Sequence, residues 1–424
     1  MNVYEAANKR LEVIFKEFDN VYVSFSGGKD SGILLNLCLD YVKKHNIEKK
    51  LGVFHLNYEA DYSFTTKYIE RALEKDKEIL EVYNCCVPFK VETITSMFQS
   101  YWRPWEESKK ELWIRKQPDN AYTKSDFEFY NTKMWDYEFQ EKFSKWHHKK
   151  NKASKTCVLV GIRTQESLNR WRAIHSERNV NKYKDYDWTR KVFDNVYNAY
   201  PIFDWLTDDV WVANYKFKWD YNKLYDMYYK AGVPVEKQRV ASPFISSAKA
   251  SLRLFKAIEP HTWSKLVSRV NGVNFTGIYG GTTAMGWGSI TKPSHFTWKE
   301  YMYFLLETLP DEVKQGYLNK LETSIQFWKE KGGVLSDDNI HQLKAEGVQI
   351  DVGKKSNYQT EKKPVRMEYQ DDTGLKDFKL IPTYKRMCVS IMKNDHLCKY
   401  MGFTLTKNEM DKRTATIKKF KALL

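Results

Sequence analysis

The chain has 424 residues, of which 42% are hydrophobic, so it can bury a sizeable core in two or three domains. Its formal net charge of +15 suits an anionic partner such as a nucleotide, pyrophosphate or nucleic acid. Six scattered Cys are too few for a disulfide framework, and no segment is apolar enough for a signal peptide or a membrane span. We therefore expect a globular, cytoplasmic protein with no membrane partner.

Strand-like and helix-like patterns alternate along the first half of the chain. The predicted helices cover residues 3–18, 33–41, 62–80, 125–149 and 165–178. The predicted strands cover residues 21–26, 50–57, 82–91, 155–162 and 198–205. Thr207 is the predicted cap of a further helix through Trp211. This alternation predicts an α/β fold with a doubly wound parallel sheet of about five strands.

Composition and periodicity suggest how the rest of the chain is organised. We expect an α/β domain at 1–235, which carries a helical and aromatic insert at about 92–150. A mostly helical accessory domain is predicted at 236–330, with a Gly-rich loop at 277–288. Residues 331–380 are polar and weakly periodic, which favours a linker or surface excursion, and 381–424 form a predicted helical segment.

A Ser-Gly-Gly-Lys-Asp-Ser hexapeptide follows the first predicted strand and opens a helix. Two glycines let the chain turn sharply, so that backbone N–H groups and the positive end of the helix face a ligand, and phosphate is the natural one. The residues expected to bind nucleotide phosphates are Ser26, Gly27, Gly28, Lys29, Asp30 and Ser31. A Walker A loop is excluded because Val23 stands where that motif needs Gly, and the glycine spacing does not fit a Rossmann loop. The alternative is an ordinary surface turn.

A second candidate motif follows the predicted strand at 155–162. It is Gly-Ile-Arg-Thr-Gln-Glu-Ser-Leu-Asn-Arg, and its expected ligand-binding residues are Gly161, Arg163, Glu166, Ser167 and Arg170. In a doubly wound sheet this motif falls on the same edge as the hexapeptide, so the two would form one cleft. The arginines could clamp an anion, whereas the glutamate could hold an arginine or help to bind a metal. Arg172 could join them or be an ordinary solvated helix residue.

Three further groups of residues have a possible role in a site. Glu59 follows the second strand and could contact ribose, base or Mg²⁺, as could Asp61, which could equally cap a helix. The pair His147 and His148 is better explained as a solvated helix end than as a metal site. The cysteines at 85, 86, 388 and 398 lack the spacing of an iron–sulfur site, and the last two are read as core thiols rather than a redox pair.

Together the two motifs resemble the PP-loop ATP pyrophosphatase superfamily, and within it the phosphoadenosine phosphosulfate (PAPS) reductase-like family. Further blocks, at 201–205, 221–225 and 238–244, are similar to a branch that includes the immunoglobulin-binding regulator A proteins. The resemblance implies a sheet that binds ATP or a related adenine nucleotide through residues 26–31, with arginines on an anionic substrate. The C-terminal Glu-Cys-Gly-(Leu or Ile)-His segment of true PAPS reductases is absent, which lowers the expectation of reduction.

These observations predict an enzyme that uses ATP and Mg²⁺ for nucleotidyl transfer. An acceptor oxyanion, supplied by an anionic small molecule, would attack the α-phosphorus and release pyrophosphate. The catalytic residues would be Lys29, Asp30, Arg163 and Arg170. One alternative is thiol-dependent reduction of a sulfonucleotide, and another is a nucleotide-sensing regulator that acts with a ParB-like partner. Thiolation of nucleic acid is not favoured because the chain has no evident RNA-binding module and no C-x-x-C pair.

Overall fold

The computed structural model describes residues 1–166, 170–171, 174, 181–245, 252–279, 290–354, 362–375 and 381–403. The chain forms two compact units. The first, here called the sheet unit, consists of Met1–Val91 and Tyr101–Arg269. The second, here called the C-terminal unit, consists of Glu92–Ser100 and of Val270–Leu424 as far as described. In the described residues, no helix has the length and apolarity that crossing a membrane requires.

The described residues in the first half of the chain contain nine strands. They are β1 (Asn20–Ser24), β2 (Leu51–Leu56), β3 (Leu80–Cys85), β4 (Val91–Ser96), β5 (Gln99–Trp102), β6 (Ala121–Tyr122), β7 (Thr156–Val160), β8 (Thr189–Phe193) and β9 (Val196–Ala199). Seven of them form one sheet in the order β6-β3-β2-β1-β7-β9-β8, while β4 and β5 pair separately. Every pairing in the large sheet is parallel except that of β8 with β9. The predicted α/β class with a parallel, doubly wound sheet is confirmed.

Helices cover both faces of this sheet. The described α-helices of the sheet unit are α1 (Val3–Glu17), α2 (Lys29–Lys44), α3 (Ser63–Glu74), α4 (Asp136–Lys150), α5 (Thr207–Phe217), α6 (Leu224–Lys230), α7 (Leu252–Ile258) and α8 (Pro260–Arg269). Alternate β1 residues point to opposite faces, as in any strand. Val21 and Val23 join the core formed with α1, α2 and α3, whereas the ring of Tyr22 contacts Phe143 and His147 of α4.

The strand order places β1 and β7 side by side at the centre of the sheet, although they are far apart in sequence. From β1 the chain proceeds outward through β2 and β3, and it returns to β7 on the other side of β1. In open α/β sheets this reversal creates a crevice at the carboxyl ends of the two central strands, where ligands bind. The hexapeptide follows β1 and the second motif follows β7, so both lie at this crevice.

Several predicted boundaries differ from those observed. The third strand ends at Cys85 rather than 91, and the strand predicted at 198–205 ends at Ala199 because the chain turns at Pro201–Asp204. Thr207 is the first helical residue of α5 and not its cap, because the Asp209 carboxylate accepts from the amide of Leu206 instead. The helix predicted at 165–178 lies largely outside the described residues.

The C-terminal unit contains helices and a small antiparallel sheet. Its elements are α9 (Val273–Tyr279), α10 (Trp298–Glu307), α11 (Asp311–Glu330), β10 (Gly333–Leu335), α12 (Asp337–Ala345), β11 (Ile350–Val352), β12 (Lys363–Met367) and α13 (Tyr384–Met392). The sheet, in the order β10-β12-β11, lies within the stretch predicted as a polar linker or excursion. Its three strands are too short to give a periodic signal. Helix α9 also occupies the start of the predicted Gly-rich loop, of which residues 280–288 lie outside the described part. The predicted domain boundaries stay predictions.

The β4–β5 hairpin contributes residues 92–100 to this unit, far ahead of the rest in sequence. Thr95 donates its hydroxyl hydrogen to the carbonyl of Asn271 at 2.7 Å, and the Asn394 amide donates to the carbonyl of Ile94 at 3.3 Å. A Cβ atom on Gly272 would lie 2.0 Å from the Thr95 carbonyl oxygen. The unit is thus assembled from two distant parts of the chain.

Candidate functional site

The loop after β1 has the shape that its glycines permit. Gly27 has a φ of +73°, and Gly28 is the extended residue from which α2 starts at Lys29. A Cβ on Gly27 would lie 2.7 Å from Ile69 Cδ1, so a side chain there meets both backbone strain and a close neighbour. The Asn222 side-chain amide donates to the Gly27 carbonyl at 3.0 Å and fixes the loop from the other side.

Two serines connect the start and the end of this loop. The hydroxyl oxygens of Ser26 and Ser31 lie 3.0 Å apart, and the Ser26 amide donates to Ser31 Oγ at 3.2 Å. The Gly28 amide donates to Ser26 Oγ at 3.4 Å. The serine hydroxyls therefore satisfy backbone groups at the start of α2, where a helix leaves N–H groups without intrahelical partners.

Lys29 is a buried cation at the first position of α2. Only 5% of the residue is exposed, and its ammonium lies 3.2 Å from Asp30 Oδ2 and 3.5 Å from the Gln238 carbonyl oxygen. Burial lowers the pKa of Lys29, the Asp30 carboxylate opposes this effect, and the positive charge of Arg163 reinforces it. Asp30 contacts both Lys29 and Arg163, so its negative charge is shared between two cations. A phosphate group at the loop would therefore supply negative charge that Lys29 lacks.

The loop after β7 is joined directly to α2. A Cβ on Gly161 would lie 3.0 Å from the backbone of Asp30 and Ser31, so a glycine allows this close approach. Arg163, only 2% exposed, donates from Nε to Asp30 Oδ1 at 2.6 Å. It also donates to the side-chain oxygen of Gln165 at 2.9 Å, and the Glu166 carboxylate lies 4.0 Å from its guanidinium. Arg163 thus holds the two loops together, and its charge is balanced mainly by Asp30.

Two more arginines gather beside Glu166. Arg170 forms an ion pair with the Glu166 carboxylate, and Arg239 donates to the Glu166 carbonyl oxygen at 3.4 Å. Burial lowers the pKa of Arg170, and the positive charge of Arg239 contributes to the same shift. Within the described residues, four cations (Lys29, Arg163, Arg170 and Arg239) lie around two carboxylates, Asp30 and Glu166. The excess positive charge suits a ligand with several negative charges. Ser167 and Arg172 lie outside the described residues.

Glu59 lies apart from this charged group. It is fully buried, has a φ of +67°, and its carboxylate accepts from Arg269 Nε at 2.9 Å and from the amides of Trp105 at 2.6 Å and Ile114 at 3.2 Å. These donors use both carboxylate oxygens. The contacts of Glu59 thus tie the insert and α8 to the end of β2, and a nucleotide-binding role for it stays a prediction. Asp61 pairs with Arg115 at 3.6 Å.

Sequence reasoning missed the residues that approach the loop from far along the chain. They are Asn222, Tyr225, Gln238 and Arg239, and they contact the loop or Glu166 across sequence separations of 73 to 209 residues. No local pattern predicts such contacts. The only signal was that the blocks at 221–225 and 238–244 carried part of the family resemblance.

The donor set near the loop does not suit a metal ion held by the protein. Mg²⁺ prefers one or two carboxylates together with phosphate and water oxygens. Asp30 and Glu166 are both engaged with cationic side chains. Across the described part of the chain, no cluster of three or more His, Cys, Asp or Glu residues is placed to hold a metal.

The histidine pair lies at the opposite edge of the sheet. His147 is buried, not solvated as predicted, because it continues the apolar face of α4 formed by Phe139 and Phe143. Its Nδ1 lies 3.1 Å from the Asn20 amide, and burial lowers the pKa of His147 to about 4. It is therefore a core residue at the amino ends of the strands.

All six cysteines are free and buried. Burial raises the pKa of Cys388 to about 12, and it also raises the pKa of Cys398. A thiol with a raised pKa supplies little thiolate, which is the nucleophile in thiol chemistry. The interpretation of both residues as core thiols agrees with this environment.

Comparison with known proteins identifies two family models along the chain. Residues 20–231 match the phosphoadenosine phosphosulfate reductase domain, and residues 232–412 match a domain of unknown function, DUF3440. The chain is also similar to a protein of Escherichia coli K12 called Uncharacterized protein YbdN. The two are 31% identical over 414 residues, which cover 96% of this chain and 92% of YbdN. The similarity to a regulator A branch stays a prediction.

Two solved structures are similar to part of the chain at low identity. An FMN adenylyltransferase from Candida glabrata is 15% identical, with a TM-score of 0.32, and the match covers 53% of this chain but only 59% of that enzyme. A PAPS reductase from Candida auris is 15% identical, with a TM-score of 0.31 and coverage of 54% and 85%. The PAPS reductase model matches half of the chain and contains the loop, the sheet and the second motif. The protein therefore belongs to the PAPS reductase domain family of the PP-loop superfamily.

Proposed function

We propose that the protein binds ATP, or a related adenine nucleotide, with its phosphates on residues 26–31. The observation that carries the proposal is the placement of four cations, Lys29, Arg163, Arg170 and Arg239, around the start of α2 at the crevice between β1 and β7. A helix start with backbone N–H groups and surrounding cations attracts phosphate. The family membership supports the same ligand class.

The reaction that we propose at this site is nucleotidyl transfer. An oxyanion of the acceptor attacks the α-phosphorus of ATP and forms a new P–O bond. The bond from the α-phosphorus to the bridging oxygen breaks, and pyrophosphate leaves with its electron pair. Lys29 stabilises the negative charge that develops on the phosphates. Arg170 and Arg239 receive the anionic acceptor, while Arg163 positions Asp30 and the loop rather than contacting the reacting atoms.

Magnesium enters this proposal only as the usual counter-ion of ATP. Because Asp30 and Glu166 already pair with cations, the described site offers no carboxylate that is ready to bind the metal. We therefore assign no step to Mg²⁺ and no protein ligand to it. The chemistry assigned to this chain is binding, orientation and charge stabilisation by cationic side chains.

The test is release of pyrophosphate from ATP and Mg²⁺, alone and with sulfate, sulfonucleotides or nucleic acid as acceptor. We expect release with one of these acceptors, and its loss in Lys29→Ala. Lys44→Ala, at the exposed far end of the same helix, is the matched control and should keep full activity. The acceptor that stimulates release identifies the substrate class. If ATP binds but no condition releases pyrophosphate, the transfer reaction is overturned. That result would favour a nucleotide-sensing regulator, for which a ParB-like protein is the partner to test.

Reduction of a sulfonucleotide is the competing reaction, and the buried cysteines do not support it. It requires a thiolate near the tail, at Cys388 or Cys398. Replacing both with Ser leaves nucleotidyl transfer intact under our proposal. If a sulfonucleotide is reduced, and this double variant fails to reduce it, the reductase function is the correct one.

A further inference from the structure

Tyr225, on α6, lies directly over the phosphate loop. Its side chain is buried, with 3% of the residue exposed, and its hydroxyl oxygen accepts the backbone N–H of Lys29 at 2.9 Å. The same oxygen would lie 3.5 Å from a Cβ placed on Gly28. The hydroxyl therefore occupies a position beside the first amide of α2, among the groups expected to receive phosphate.

This hydroxyl has one hydrogen still to donate. Its oxygen serves as acceptor for Lys29, and within the described residues no acceptor lies in hydrogen-bonding range of its own hydrogen. Burial is the largest cause that raises the pKa of Tyr225, with the negative charge of Asp30 adding to it, so the group remains a neutral donor at neutral pH. A buried hydroxyl with an unused hydrogen costs free energy unless a ligand accepts it.

The surroundings hold the ring in place. The Tyr225 ring packs edge-on against Trp211, with centroids 5.4 Å apart, and against Tyr228 at 6.4 Å. The segment just before α6 is attached to the loop, because the Asn222 amide donates to the Gly27 carbonyl. The hydroxyl is thus fixed relative to the loop before any ligand arrives, which lowers the entropic cost of using it.

We propose that the Tyr225 hydroxyl is a phosphate ligand, which accepts from the Lys29 amide and donates its hydrogen to a phosphate oxygen. The proposal rests on nucleotide binding at residues 26–31. Tyr225 thereby extends the loop with a neutral, directional donor from a segment almost two hundred residues away. It selects for the phosphate part of the ligand and contributes nothing to recognition of adenosine.

The test compares Tyr225→Phe with Tyr228→Phe by calorimetric titration with ATP, inorganic pyrophosphate and adenosine. Tyr228 is equally buried on the same helix, and its ring packs against Tyr62 rather than over the loop, which makes it a matched control. Tyr225→Phe should weaken binding of ATP and pyrophosphate by about tenfold or more, because hydrogen bonds to charged groups are the stronger ones. Adenosine binding should not change, and Tyr228→Phe should bind all three as the unchanged protein does.

The opposite results have distinct meanings. Tighter pyrophosphate binding by Tyr225→Phe would show that the hydroxyl only blocks the Lys29 amide from a ligand. Unchanged pyrophosphate binding would show that the hydroxyl has a purely structural role. Either result would overturn the proposal. If the unchanged protein binds neither ATP nor pyrophosphate, nucleotide binding itself fails and the proposal falls with it. If thermal denaturation shows that Tyr225→Phe is unfolded, a second variant with 4-aminophenylalanine at position 225 keeps a hydrogen-bond donor on the ring. Loss of pyrophosphate affinity in that variant would also reject the proposal.

Discussion

The ion pair between Arg163 and Asp30 should determine much of the stability of the loop. In Asp30→Asn the shape of the side chain is kept, but the guanidinium of Arg163, 2% exposed, loses the anion that it contacts at 2.6 Å. The remaining anion nearby is Glu166, at 4.0 Å from Arg163. Removing one partner of a buried pair typically costs 3–5 kcal/mol, and because Glu166 compensates in part we expect about 3 kcal/mol.

The assay is urea unfolding at neutral pH, with Asp208→Asn as control because that carboxylate is exposed on the first turn of α5. A double-mutant cycle with Arg163→Met separates the pair from its surroundings. We expect a coupling free energy of about 2 kcal/mol between positions 30 and 163. A loss below about 1 kcal/mol in Asp30→Asn, together with a coupling near zero, would refute the view that Arg163 depends on Asp30 for its charge balance.

Three further predictions concern a core histidine, a loop glycine and the loop lysine. The pKa of His147 is about 4 in the folded protein and 6.5 at its ordinary value, so the unfolded chain takes up the proton first as the pH falls. The contribution of His147 to the free energy of unfolding is therefore complete above pH 6.5, and up to about 3 kcal/mol is lost as the pH drops to 4. In urea titrations, His147→Phe should reduce this loss of the free energy of unfolding between pH 6.5 and 4. If the loss is unchanged in the variant, other groups cause it. Gly27→Ala should lower the free energy of unfolding by about 1–2 kcal/mol more than Gly232→Ala. Both glycines have a positive φ, but only a Cβ on Gly27 would collide with Ile69. Equal losses of the free energy of unfolding in the two variants would contradict this prediction. Because burial lowers the pKa of Lys29 from 10.5, pyrophosphate affinity should fall as the pH rises towards that ordinary value. Lys29→Arg should lose less affinity over the same pH range, and equal losses for the two proteins in calorimetry would argue against this prediction.

The central sheet was predictable where its strands are buried on both faces. β1, β2 and β7 read as short apolar runs, and their parallel pairing follows from the helices between them. The two residues of β6 carry no periodic signal. Strand β8 pairs with β9 as an antiparallel edge, and its half-exposed sequence resembles a loop. The boundary near Pro201 was wrong because the same apolar residues continue into a buried turn.

The geometry of the loop after β1 was predictable because it depends on local residues. Six consecutive residues supply the turn, the helix start and the cation, so their sequence predicts their geometry. The covering residues, Tyr225 and Gln238, reach the loop only after the chain has folded over the sheet. Glu59 shows what a local sequence pattern cannot predict. Its place after β2 predicted a ligand-binding carboxylate, which stays a prediction, but no local pattern indicated its ion pair with Arg269, 210 residues away.

The distant origin of the β4–β5 hairpin affects how this protein is made. Residues 92–100 leave the ribosome about 170 positions ahead of Val270, an interval of roughly 10–30 s at ordinary elongation rates. During that interval Thr95 has no Asn271 to bind. The hairpin is therefore made before the residues that it binds in the folded unit. For the same reason, no single proteolytic cut of the chain can yield both units intact.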